Sequence, residues 1–267
     1  MSEEWDEFDY LEEDYLEEDF NVVCSKINFE YLLENYYFLR ENVSGLLEVF
    51  SDLIDFAYYT TSTLGVVSKL RERGKYADYV VPYALAYIVF PHVHGSYINL
   101  MLGYPYYTLF SFRVIAEAVV ASVYVDLKLH GKTLSEKISS REYLYFGLCS
   151  LHRSRLDAER VFGKDFVEKA CELIGELSSL WIHPVASYKK TKSSRRIPAG
   201  QLYAVIVHLK FTGKPPSYVY SQLYTEEDLP ILMSIRDLAY RLKEIVFHAY
   251  GLWCKKFGIG PYPETKR

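Results

Sequence analysis

Arg241 and His248 stand seven residues apart in RLKEIVFH, near the end of a 267-residue chain. On a helix, seven residues make two turns, so both side chains share one face about 10 Å apart along the axis. Arg113 and Glu117 are four apart in the most apolar long segment, a spacing that pairs charges on a helix face. They form either a structural ion pair or the start of a polar pocket between helices, with His183 as a third member. His183 precedes Pro184, where a helix must stop, so its imidazole either caps the last carbonyls or serves that pocket. Lys189, Lys190, Lys192, Arg195 and Arg196 put five cations into eight residues. They form a solvated loop or a phosphate-contacting one, with Tyr188 placed to stack on a base. His92 and His94 flank one valine after Pro91, and in an extended segment both rings would face one side and could reach one metal. No Asp, Glu or Cys lies near in sequence to complete that set, so no metal site and no cofactor is expected.

The elements that must position these groups read as helices. Asn28 caps a helix through Glu41, and Ser44 caps another running to Arg73 before Gly74. Residues 76–90 read as a helix kinked by Pro82 and ended by Pro91. Pro105 suits the first turn of a long helix through Leu129. Thr133 and Glu136 have capping-box spacing. Residues 141–160 and 164–182 follow as two more helices, and 201–211 as a further one that could also suit a strand. Thr225 and Asp228 open the last long helix, through Lys256, with Pro230 in its first turns. No strand series and no repeat emerges. The expected fold is all-α, a single globular bundle of about eight to ten helices over 21–257 with a basic loop near 187–200, followed by a 258–267 tail.

Charge is divided along the chain. Residues 1–20 carry 11 acidic and no basic residues, leaving 24 acidic against 30 basic in the rest. Within this leader Phe8, Leu11 and Tyr15 share a helical face, so it reads as a solvated tail or as an acidic-aromatic segment that engages something basic. The expected target is the protein's own basic body, where the tail would shield the 189–196 loop, or else a basic protein partner or a second subunit. An acidic start is not a secretory signal, and the expected location is cytoplasmic. Residues 79–112 hold no Asp, Glu, Lys or Arg, but Pro, Gly, His and Tyr interrupt them, so a buried helix pair is expected rather than a membrane span. Two Gln, five Asn and three Met suggest a thermophilic host. The four Cys form no CxxC pair and read as buried thiols, a disulfide being the minority reading.

The Arg241–His248 spacing on a late helix of an all-α chain resembles the Arg-x(4–6)-His motif of HEPN domains. The RVIAE and LSSLWIHP segments resemble patterns in helical families associated with that fold. The resemblance covers the C-terminal half, and Leu242 departs from it, because family members usually carry a polar residue after the Arg. The resemblance implies a metal-independent ribonuclease. His248 would be the general acid or base, and Arg241 would stabilise charge developing on the phosphate. It also implies a homodimer that completes the site. The leading expectation is therefore a helical protein that interacts with RNA or DNA. The alternatives are a non-catalytic interaction protein acting through residues 1–20 and a helical enzyme using Arg113, Glu117 and His183 on a small polar substrate.

Overall fold

The computed structural model describes residues 29–63, 77–140, 152–177 and 223–259. Among them the fold is all-α with no strand. The helices are α1 (Phe29–Asn42), α2 (Leu46–Thr63), α3 (Val80–Ala84), α4 (Phe90–Met101), α5 (Pro105–Lys128), α6 (Leu134–Ile138), α7 (His152–Phe162), α8 (Lys164–Glu176) and α9 (Leu229–Phe257). The leader 1–20, the helix expected at 201–211 and the 260–267 end of the C-terminal tail lie outside the described residues, as do 64–73, 141–151 and 178–182 of three expected helices.

α5 is the axis of the bundle and packs against α3, α4 and α9. Its buried apolar residues serve these three helices, while Tyr107, Phe110 and Glu117 are exposed to solvent. By composition alone Tyr107–Lys128 could cross a membrane, yet 67% of its apolar window is buried inside the fold. α9 carries the complementary stripe, Leu238, Leu242, Ile245, Ala249 and Trp253, all buried. Aromatic rings fill the seams, with Phe56 of α2 4.8 Å from Phe247 and 5.1 Å from Tyr250 of α9. Gly258, left-handed at φ 65°, ends α9.

Pro91 does not end a helix, contrary to expectation. Residues Leu85–Val89 form a π-helical turn that joins α3 to α4 into one rod. The wider turn bonds Phe90 N–H back to Leu85 O, which relieves the ring-against-carbonyl clash of a proline in a regular helix. Pro82 sits in the first turn of α3, where its missing N–H costs little. The charge-free stretch 79–112 is only partly buried. Tyr87 is 61% exposed and Tyr107 63%, and Ile98 and Phe110 also face outward.

One polar node is sealed within the core. Asp126 Oδ1 accepts from Val80 N–H (2.9 Å) and Lys137 Nζ (3.0 Å). Its Oδ2 accepts from Val81 N–H (3.0 Å) and Trp253 Nε1 (3.0 Å). Lys137 Nζ also donates to Asp78 O at 2.6 Å and lies 4.7 Å over the Tyr79 ring. Burial pushes the Asp126 carboxyl above the ordinary carboxylate range, while the Val80 and Val81 amides and the Lys137 ammonium pull it back. This carboxylate caps α3 and ties α5, α6 and α9 to it. Thr133 and Glu136 form the expected capping box, which places Lys137 at the node.

Candidate functional site

α8 is amphipathic, burying Phe166, Val167, Ala170, Leu173 and Ile174. Gly163, at φ 88°, makes the sharp turn from α7 that only glycine adopts without strain. The turn brings Phe162 within 5.0 Å of Phe166. Phe166 in turn stacks on the His248 ring at 4.8 Å and 21°. Between α8 and α9 lies a cleft of ≈ 850 Å³.

Arg241 and His248 both line this cleft, with Lys164, Lys169 and Lys243 beside them. Asp165, Glu172 and Glu244 line it too, so its charge is mixed. Arg241 Nη1 donates to Glu176 Oε2 at 2.6 Å, and Lys243 Nζ to Asp52 Oδ2 at 2.7 Å. Among the described residues, Lys164 and Lys169 make only longer contacts within α8, 3.8 Å to Glu168 and 3.5 Å to Asp165. His248 is exposed apart from its Phe166 face. Leu242 is fully buried in the α9 core stripe. The apolar residue after the Arg therefore faces away from the cleft and contributes nothing to it.

The other candidates are placed elsewhere. Arg113 and Glu117 form an ion pair at 3.0 Å, with side chains 23% and 47% exposed. The pair lies toward solvent and does not line the α8–α9 cleft. His183, Tyr188, Lys189, Lys190, Lys192, Arg195 and Arg196 lie outside the described residues. His92 and His94 are on helix α4, not on an extended segment. Two residues span about 200° of a helix, so the rings diverge and the one-metal geometry is lost. Among the described residues no group of three His, Cys, Asp or Glu could hold a metal. Cys171 and Cys254 are free thiols, while Cys24 and Cys149 lie outside the described residues.

Glu176 and Phe166, the direct partners of Arg241 and His248, carry no mark in the sequence. Their spacing of ten residues on α8 is about 2.8 turns, which does not align them on one face, so it gave no signal either. The chain matches no protein-family model, no curated protein and no solved structure.

Proposed function

We propose that the α8–α9 cleft receives the phosphodiester backbone of RNA and that His248 transfers a proton there. What carries the reading is that Arg241 and His248, two turns apart on α9, line one cleft together with Lys164 and Lys169. In the reaction the ribose 2′-oxygen bonds to phosphorus and the bond from phosphorus to the 5′-oxygen breaks. Neutral His248 takes the 2′-hydroxyl proton, and the departing 5′-oxygen takes a proton from water or from a second acid. Arg241 sits two turns away to balance charge gathering on the phosphoryl oxygens. A second copy of the chain, which the HEPN resemblance implies, would be the source of that second acid.

The test is RNA cleavage in EDTA by the full chain and by His248→Ala. The variant is expected to lose cleavage while keeping the wild-type helical circular dichroism. Cleavage by the variant at the wild-type rate would end the catalytic reading, as would a wild-type protein that cleaves no RNA.

A further inference from the structure

Arg241 meets the cleft with its charge already engaged. Its guanidinium offers a planar fork of N–H donors that fits a carboxylate and a phosphate oxygen pair equally well. One nitrogen of the fork, Nη1, is held by Glu176 from the last turn of α8, and the two side chains are 38% and 35% exposed. A phosphate entering from solvent can therefore reach the same donors that the carboxylate holds. Exposed ion pairs are weak, so exchange of one anion for another is within reach of ordinary binding. Among the described residues, the two cleft cations on α8, Lys164 and Lys169, keep to longer contacts on their own helix and are not held across the seam.

From these contacts we infer that Glu176 is an internal competitor for the ligand's phosphate at Arg241. It positions the guanidinium while the cleft is empty and sets the threshold that an anion must exceed. The inference rests on the reading of the cleft as a phosphodiester site. Glu176 is a positioning residue, since it acts through Arg241. A ligand carrying a single weakly bound anion would fail to displace it, whereas an RNA strand also held by Lys164 and Lys169 would succeed. The competitor thus selects for ligands with several phosphates in a row.

The experiment measures binding of a short single-stranded RNA to the full chain in EDTA, by fluorescence anisotropy over a salt series. The proteins are wild type, Glu176→Gln, Arg241→Gln and the double variant. Glu176→Gln should tighten binding about threefold, the scale of an exposed ion pair. It should also steepen the salt dependence by about one unit of log–log slope, as one more cation becomes available. Glu176→Asp, which keeps the charge, should bind as wild type. In the double variant the gain should vanish. A gain that persists without Arg241, or a Glu176→Gln protein indistinguishable from wild type, overturns the inference. If Arg241→Gln weakens binding while Glu176→Gln changes nothing, the cleft reading stands and only the competitor role falls. If neither substitution alters binding, or no protein binds RNA, both fall.

Discussion

Lys137 Nζ and Asp126 Oδ1 lie 3.0 Å apart in a site closed to water, with side chains 1% and 0% exposed. Each oxygen of the carboxylate accepts two hydrogen bonds, and the ammonium spends itself on a carboxylate, a carbonyl and a ring face. Desolvating both charges is tolerable only because so little of their bonding capacity is wasted.

Removing one partner should therefore be costly. Asp126→Ala leaves a buried ammonium and three orphaned N–H groups, and the expected loss is about 3–5 kcal/mol of unfolding free energy. Adding Lys137→Met should give some of that back, so the double variant will be less destabilised than the two single variants summed. Urea denaturation of the four proteins checks this. Strict additivity would mean that the two charges do not depend on each other.

His92 gives the fold a dependence on pH. Its Nδ1 lies 3.3 Å from Ser111 Oγ across the α4–α5 seam, and burial holds its pKa below the ordinary 6.5. The native state favours the neutral ring, whereas the unfolded chain takes up a proton near 6.5. This contribution to stability is thus present above pH 6.5 and is lost as pH falls through that value toward the folded pKa. Urea midpoints of wild type and His92→Gln, compared from about pH 8 to 5, should converge as the pH drops. A constant difference between them would rule out His92 as the source.

Gly45 and Tyr240 control the entry to α2. Gly45 has φ +81°, and a methyl group there would collide with the Tyr240 hydroxyl. That hydroxyl lies 3.3 Å from Gly45 O. Gly45→Ala should cost about 1–2 kcal/mol through the backbone conformation alone. Tyr240→Phe removes the colliding hydroxyl, so Gly45→Ala in that background should lose less than in wild type. Thermal melts of the three variants decide it, and an equal loss in both backgrounds would show that the collision is irrelevant.

Local signals in the sequence translated well. The capping residues Thr133 and Thr225 and the first-turn Pro105 mark helix starts through contacts within a few residues, and helices begin there. The rod through Pro91 was illegible because a π-turn leaves no distinct composition, and a proline ordinarily stops a helix. The charge-free stretch correctly suggested packed helices, but no periodicity argument revealed that Tyr87 and Tyr107 would face outward. For the cleft, arithmetic on α9 placed Arg241 and His248 on one face. Which helix lies opposite is decided by tertiary packing, so Glu176 and Phe166 stayed hidden. Asp126 was hidden for the same reason, since its partners lie 11, 45, 46 and 127 residues away.

Those separations bear on how long a folded molecule survives. The bond from Trp253 to Asp126 closes a loop of 127 residues, and the bonds to Val80 and Val81 close loops of 46 and 45. Contacts so remote in the chain form only after its halves have met, because closing a long loop precedes the gain from the contact. Interactions made after the rate-limiting step hardly alter the speed of folding but slow the reverse reaction. A node built from such contacts is expected to slow unfolding more than it speeds folding, so Asp126→Ala should raise the unfolding rate more than it lowers the folding rate in a urea chevron.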